Sequence, residues 1–124
     1  MELVRELPEG HLFVRATTDA AIVVGERTLT RSFLLTPEAV IESWTPRGAS
    51  GLDADAVAKI IALEPEVVLL GTGPAQDFPP REALIPMLRR QIGVEVMDNA
   101  AAARTFNLLA SEYRRVVAAF ILPA

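Results

Sequence analysis

The chain has 124 residues, enough for one domain, and its apolar content of 51% supplies a core large enough to argue against disorder. It has no cysteine, which excludes disulfides and thiol nucleophiles, and its net charge of −4 without a basic run argues against nucleic-acid binding. No apolar stretch reaches the about 20 residues of a membrane-spanning helix, and no signal sequence follows Met1. We therefore expect a cytoplasmic protein that is not an integral membrane protein.

The first third of the chain predicts antiparallel strands after an irregular start. Residues 1–11 are polar and contain proline and glycine breakers, so we expect them to be irregular and His11 to lie at the surface. Short runs of β-branched and apolar residues follow, and they predict four strands: 12–16, 20–24, 28–35 and 39–44. Between the second and third strands, Gly25 and Glu26 predict a hairpin turn.

A change of periodicity marks the first helix. Val57, Ile60 and Ile61 recur at helical spacing and predict a buried face. Asp53 stands where the N-cap is expected, because its side chain can accept a hydrogen bond from the first turn. Pro65 ends the pattern, since proline cannot continue a helix without losing a hydrogen bond.

The remaining chain alternates strand and helix. Its apolar runs and helical periods predict five elements: strands 67–70, 94–97 and 116–122, and helices 81–91 and 99–111. Short connections of this kind require right-handed crossovers, so we expect the three strands to be parallel neighbours. The predicted fold is a single α/β domain over residues 1–124 with one mixed β-sheet. Its N-terminal part is antiparallel, its C-terminal β-α-β-α-β part is parallel, and the helices pack on the sheet.

Particular residues predict where the last two helices begin, bend or end. Pro86 lies inside the predicted helix 81–91, where proline removes a donor and crowds the preceding turn, so we expect a kink there or a short irregular turn before the helix proper. Gly93 is expected to cap the end of that helix. Asp98 and Asn99 are both candidates for the N-cap of the following helix.

The strand at 67–70 runs directly into the turn Gly71-Thr72-Gly73. Glycine allows positive φ or a close ligand, and open α/β sheets bind ligands at the carboxyl ends of their strands. The dinucleotide fingerprint fails, because Gln76 stands in place of the third glycine, and no Gly-Lys-Ser/Thr follows for a phosphate loop. A loop that binds a small anion or a partner and a purely structural bend both remain open.

The sequence contains no standard catalytic constellation. One histidine and no cysteine disfavour a transition-metal site and a serine triad, and we expect no cofactor. Asp77 and Asp98 each come after a predicted parallel strand and can share one edge of the sheet. Both also fit as turn and cap residues, so a structural role and a role in a functional site both stay open.

Arg104 belongs to a polar ridge on the last helix. Ala100, Arg104, Asn107 and Ser111 are spaced by four, three and four residues, which places them on one face. That face is either exposed to solvent, or the guanidinium of Arg104 reaches back to the Gly-Thr-Gly turn or to Asp98. We predict the second arrangement, in which Arg104 links the helix to the turn.

Trp44 is the candidate residue for protein contact. It is the single tryptophan, and it leads into Pro46, Arg47 and Gly48, which predict a loop. We therefore expect Trp44 to be at least partly exposed or to lie at an interface, where aromatic residues are enriched.

Four ordered motifs resemble one known family. VVLLGTG, FPP, IGVEVMD and AAARTFNLLASEYRRVVAA, together with Trp44, are similar to the domain of unknown function 498 family over residues 28–122. Members of that family include mitochondrial complex I assembly factor 3, an adipogenesis-associated cytoplasmic protein, and small single-domain bacterial proteins. The resemblance implies an α/β fold around a mixed sheet and no established catalysis.

The resemblance also marks motif positions and departures from the motif. The matched positions are Gly71, Thr72, Gly73, Phe78, Pro79, Asp98, Arg104 and Asn107. The family usually has Thr-Gly after the aspartate that ends the strand, where this chain has Asn99 and Ala100. It often has a cysteine where this chain has Ala103, so a nucleophile at that position is not available here.

The residues and the resemblance together favour a non-enzymatic protein-interaction or assembly-factor module. Its protein partner is unknown, and we expect a monomer or a weak homodimer. The alternative is a small-molecule or anion binder, or an enzyme, that uses a cleft at the Gly-Thr-Gly turn. The candidate residues of that cleft are Gly71, Thr72, Gly73, Phe78, Asp98, Asn99, Arg104 and Asn107. No catalytic residue and no metal ligand is predicted.

Overall fold

The computed structural model describes residues 10–123 of the chain. Within that range lie eight strands and three helices: β1 (Val14–Thr17), β2 (Ile22–Val24), β3 (Arg27–Leu29), β4 (Phe33–Leu35), β5 (Val40–Ile41), α1 (Ala54–Ile61), β6 (Val67–Gly71), α2 (Arg81–Arg89), β7 (Gly93–Met97), α3 (Asn99–Ser111) and β8 (Val116–Phe120). The irregular start predicted for residues 1–11 falls largely on residues 1–9, which are outside the described part of the chain.

The strands form two sheets. One is antiparallel, with three strands in the order β1-β2-β3, and Gly25 takes positive φ in the hairpin turn between β2 and β3. The other is mixed, with five strands in the order β5-β4-β8-β6-β7. The predicted α/β fold with an antiparallel N-terminal part and a parallel C-terminal part is confirmed. The antiparallel strands, however, are divided between the two sheets.

The single strand predicted over 28–35 is wrong, because the chain changes sheets within it. β3 ends at Leu29 and β4 begins at Phe33 in the five-stranded sheet. Between them Ser32 is buried, and its hydroxyl accepts a hydrogen bond from the Leu122 N–H at 2.9 Å. The side chain thus satisfies a backbone donor where the ladder is interrupted, which lets the chain pass from one sheet to the other.

The parallel unit agrees with the sequence. β6 lies between β7 and β8 and runs parallel to both, so the predicted parallel neighbours are confirmed. Leu69 faces a core formed with α3 and the three-stranded sheet, whereas Val68 and Leu70 face a second core formed with α1 and α2. Because both faces are covered, every central position of β6 is apolar.

The helix ends differ in part from the predictions. Asp53 caps α1 by accepting from the Ala56 N–H at 2.9 Å, as predicted. Helix α2 begins at Arg81 and continues through Pro86, so the irregular turn expected before the helix proper is wrong, whereas a kink at Pro86 stays a prediction. Gly93 does not cap α2 but begins β7, because the left-handed cap forms two residues earlier, at Gln91 with φ of 61°.

Candidate functional site at the Gly-Thr-Gly turn

Gly71 is the last residue of β6 and lies between the ends of β7 and β8. It is paired with Met97 on one side and Phe120 on the other. A β-carbon at residue 71 would meet the side-chain oxygen of Asn99 and would lie 3.1 Å from the Phe120 ring. Gly71 is therefore required by close packing between strands and helix, since no side chain fits in that space.

Asn99 is the polar centre of the site. It is the first residue of α3 and is only 3% exposed. Its Oδ1 accepts from the Gly73 N–H at 3.2 Å, and its Nδ2 donates to the Ile121 carbonyl at 3.0 Å. Its own N–H donates to the Gly73 carbonyl at 2.8 Å. A single buried carboxamide thus joins the turn after β6 to the end of β8.

Asp98, and not Asn99, is the N-cap of α3. Its carboxylate accepts from the Ala101 N–H at 2.8 Å. This assigns different tasks to the two candidates, because Asp98 satisfies the helix amides while Asn99 points into the core. Asp77 is exposed, and its N–H donates to the Thr72 hydroxyl at 2.9 Å, which is the turn role left open by the sequence.

Thr72 organises the loop that follows the turn. Its N–H donates to the Met97 carbonyl at 2.9 Å, and its hydroxyl donates to the Ala75 carbonyl at 2.8 Å. The Gly73 N–H is already bonded to Asn99. The N–H groups that an anion would use at this turn therefore have partners within the protein, and a ligand would have to displace them.

The predicted cleft residues do not all meet in one place. Gly73, Asp98 and Asn99 line a small depression of about 180 Å³, together with residues 17–19 at the end of β1 and in the turn after it. Arg104 and Asn107 line a different, shallow depression of about 140 Å³ beside β1. Phe78 lines neither of these and is 66% exposed. A binding role for these residues stays a prediction.

Arg104 does not reach the turn, contrary to our expectation. Its side chain is exposed and makes no hydrogen bond or ion pair with another of the residues 10–123. The helix position that does reach the turn is Asn99, one helical turn nearer the strand ends and on the buried face. A short carboxamide fits that space, so the predicted link exists but is made by Asn99.

Asn107 holds β1 against α3. Its Oδ1 accepts from the Val14 N–H at 2.8 Å, and its Nδ2 donates to the Val14 carbonyl at 2.8 Å. The carboxamide thereby pairs with the outer edge of β1 as a neighbouring strand would. Sequence analysis identified Asn107 but not this contact, because Asn107 and Val14 are 93 positions apart in the chain.

Trp44 is fully buried, so the expectation of an exposed residue is wrong. Its relative exposure is 0%, and its Nε1–H donates to the Ala56 carbonyl at 3.0 Å. The loop after it folds back through a bridge between Arg47 and Gly51 and leads into α1. Trp44 consequently packs beneath α1 instead of facing a partner.

A third cavity lies at the amino-terminal ends of β6 and β8 and was not apparent from the sequence. It has a volume of about 370 Å³, and its lining includes His11, Tyr113, Arg114 and Arg115. His11 is half-buried, and its Nδ1 is shielded without a hydrogen-bond partner among the described residues. Next to this cavity, hydrogen bonds from the Arg115 N–H and the Arg114 side chain lower the pKa of Glu66 below its ordinary value.

The fold and the turn define a small mixed-sheet α/β protein whose glycine turn is closed by a buried asparagine. The chain belongs to the family described as protein of unknown function (DUF498/DUF598), which matches residues 14–121. The family resemblance inferred from the motifs is therefore confirmed. No helix within residues 10–123 is long and apolar enough to cross a bilayer.

Relatives and solved structures agree with this assignment. NADH dehydrogenase (ubiquinone) 1 alpha subcomplex assembly factor 3 of Danio rerio is 37% identical over 89 residues, which are 70% of this chain and 51% of that protein. An NMR structure from Xanthomonas campestris is 42% identical with a TM-score of 0.85, covering 99% of this chain and 93% of that chain. A crystal structure from Bordetella parapertussis is 35% identical with a TM-score of 0.84, covering 93% and 99%. The chain spans about half the length of the Danio rerio relative.

Proposed function

We propose that the protein is a non-enzymatic protein-interaction module that acts as an assembly factor, and that Phe78 belongs to its contact surface. The name of the Danio rerio relative supports a role in assembling a respiratory NADH dehydrogenase. The main support for this surface is that the Phe78 side chain is 66% exposed. An aromatic ring in water gains free energy when a partner covers it, and aromatic residues dominate the energetics of interfaces.

Contacts of the residues on both sides of Phe78 support the proposal. The Thr72 hydroxyl bonds to groups of Ala75 and Asp77, and Pro79 is buried. These contacts fix the loop on both sides of Phe78. A residue held in place before binding loses little conformational entropy when a partner arrives.

The alternative, a small-molecule or anion site or an enzyme at the Gly-Thr-Gly turn, has less support. The N–H groups of Thr72 and Gly73 are already bonded within the protein. The other features inferred from the sequence stay predictions: a cytoplasmic location, no nucleic-acid binding, and a monomer or weak homodimer.

The test is deletion of the gene in the native organism. Assembled NADH dehydrogenase is quantified by blue-native electrophoresis, and the strain is complemented with wild type, Phe78→Ser or Leu108→Ser. Leu108 is the matched control, because it is also an exposed large apolar residue, at 43%, but lies on α3. We expect wild type and the Leu108 variant to restore assembly and the Phe78 variant to fail.

Two results would contradict the proposal. Unchanged NADH dehydrogenase in the deletion strain would exclude the assembly role. Full restoration by Phe78→Ser would exclude Phe78 from the contact surface. Urea unfolding of each purified variant establishes that it is folded, and we expect exposed substitutions of this kind to change stability by less than about 0.5 kcal/mol.

A further inference from the structure

Within residues 10–123 the two sheets have four edge strands, and three of them are short or already covered. β5 has only two residues, Val40–Ile41, and β3 has three, Arg27–Leu29. The outer edge of β1 is paired with the carboxamide of Asn107. β7, Gly93–Met97, is the edge strand that is both long and largely unpaired on its outer side. Proteins ordinarily cover such an edge, because its unpaired groups attract another strand.

The backbone groups on the outer side of β7 follow from its register. The N–H of Gly93 and the carbonyl of Met97 both form hydrogen bonds on the side of β6. Alternate residues of a parallel strand point in opposite directions, so the groups of Val94 and Val96 point outward. No side chain of residues 10–123 bonds to either N–H or to the Val94 carbonyl.

Gln76 covers the fourth outward group. Its Nε2 donates to the Val96 carbonyl at 2.8 Å, in the position that the N–H of an added strand would take. Gln76 is exposed, so this hydrogen bond exchanges readily with water or with a partner. The side chain is thus a replaceable cover on an edge that is otherwise open.

We propose that the outer edge of β7 receives an extended segment of a partner protein as an additional strand, with a basic side chain opposite Glu95. The inference rests on the proposed interaction function and specifies its surface and the chemistry of its partner. Main-chain hydrogen bonds to Val94 and Val96 supply the affinity, as in other cases of strand addition. The Gln76 side chain leaves the Val96 carbonyl when the segment binds.

Glu95 determines the charge of the segment. It is the central residue of β7, it is exposed, and it forms no ion pair with another of the residues 10–123. Opposite charges directly across two strands stabilise their pairing, and like charges destabilise it. A second copy paired antiparallel about this residue would oppose two Glu95 side chains, so a basic partner segment is the better occupant.

The position of Phe78 joins the edge to the proposed contact surface. Phe78 is two residues from Gln76, so their Cα atoms are separated by at most about 7 Å. A segment that replaces the Gln76 hydrogen bond therefore runs beside the loop that carries the exposed ring. The main-chain pairing and the aromatic contact belong to one continuous surface.

The experiment uses the full chain and three synthetic heptapeptides. One alternates valine and lysine, the second alternates valine and glutamate, and the third is the lysine peptide with every backbone nitrogen methylated. NMR hydrogen exchange follows the amides of Val94 and Val96. We expect the lysine peptide to slow exchange at both amides, the glutamate peptide to bind more weakly, and the methylated peptide to have no effect, because it lacks the donors that pair.

Two exposed substitutions test the named side chains, with Leu108→Ser as control. Glu95→Lys should invert the preference between the charged peptides, with a change of about two- to tenfold in each affinity. Gln76→Ala removes the cover from the Val96 carbonyl and should strengthen binding of the lysine peptide. The control should behave as wild type, because Leu108 lies on α3.

Three results would overturn the inference. The first is unchanged exchange at Val94 and Val96 with millimolar lysine peptide. The second is protection of these amides that rises with protein concentration alone, which would make a second copy the occupant. The third is full complementation of the deletion strain by Glu95→Lys when Phe78→Ser fails, which would leave the proposed function standing without the edge. Peptide binding without a deletion phenotype would instead support the edge and remove the assembly role.

Discussion

The side-chain oxygen of Asn99 occupies the space that a β-carbon at residue 71 would take. The same oxygen accepts from the Gly73 N–H, so one atom explains both the missing side chain and the direction of the turn. Gly73 itself has φ of 104°, which strongly favours glycine. The two glycines around Thr72 therefore form a joint between β6 and α3, and a ligand is not needed to explain them.

The first prediction concerns Gly71→Ala. The added methyl would push against Asn99 and the Phe120 ring, and we expect a loss of about 1–3 kcal/mol in the free energy of unfolding. Gly93→Ala is the matched control, because its β-carbon would meet nothing closer than 3.7 Å. Urea unfolding of both variants measures the difference. Equal midpoints for the two alanine variants would contradict the packing argument.

The second prediction separates Asn99 from Arg104. Asn99→Ala leaves the Gly73 N–H and the Ile121 carbonyl buried without partners, which should cost about 1–3 kcal/mol. Arg104→Ala should change stability by less than about 0.5 kcal/mol, because its side chain is exposed. The measurement is again urea unfolding. A larger loss for Arg104→Ala than for Asn99→Ala would restore the original assignment of the link to arginine.

The parts of the fold that sequence reasoning captured depend on local signals. Asp53 marks the start of α1 through a hydrogen bond three residues away, and the apolar run 67–70 identifies a strand covered on both faces. Strand, helix and strand in close succession then leave few topologies, so the parallel order followed. Such signals are contained within a few neighbouring residues.

The parts that sequence reasoning missed depend on distant contacts. Trp44 is buried because it packs beneath α1, where its Nε1–H bonds to the Ala56 carbonyl. The chain between β3 and β4 changes sheets where Ser32 bonds to Leu122, 90 residues away. The candidate site also depends on contacts between residues that are distant in the chain. The residues at the turn were identified, but which of Asn99 and Arg104 reaches it depends on the face that α3 turns to the sheet.

The third prediction uses the fluorescence of Trp44, the single tryptophan. Because the ring is fully buried, its emission should be blue-shifted and insensitive to iodide until the protein unfolds. Trp44→Phe should lose about 1–3 kcal/mol, since the Ala56 carbonyl loses its donor and a cavity opens beneath α1. Emission at the wavelength of free tryptophan in the native protein would contradict the burial.

The fourth prediction concerns the attachment of β1. Asn107→Ala removes both hydrogen bonds to Val14, so exchange of the Val14 amide should accelerate more than exchange in β6. Asn107→Asp keeps an acceptor for the N–H but places a carboxylate against the Val14 carbonyl, and it should accelerate exchange further. Arg104→Ala, one turn away on α3, is the control. Unchanged protection at Val14 in both Asn107 variants would show that pairing with β2 and apolar contacts hold β1 without the Asn107 hydrogen bonds.

The fifth prediction is an acid dependence that originates at Glu66. Hydrogen bonds from the Arg115 N–H at 2.9 Å and the Arg114 Nε at 3.0 Å lower the pKa of its carboxyl group in the folded state. A lowered pKa means that the ionised form stabilises the fold at neutral pH, and that this contribution disappears as pH falls through the folded-state pKa. Glu66→Gln should therefore be less stable than wild type at about pH 7 and should approach it at about pH 3, when stability is measured by urea unfolding. Glu26→Gln, an exposed change in the β2–β3 hairpin, is the control and should follow wild type at both pH values. A difference between wild type and Glu66→Gln that is the same at both pH values would exclude ionisation of Glu66 as its cause.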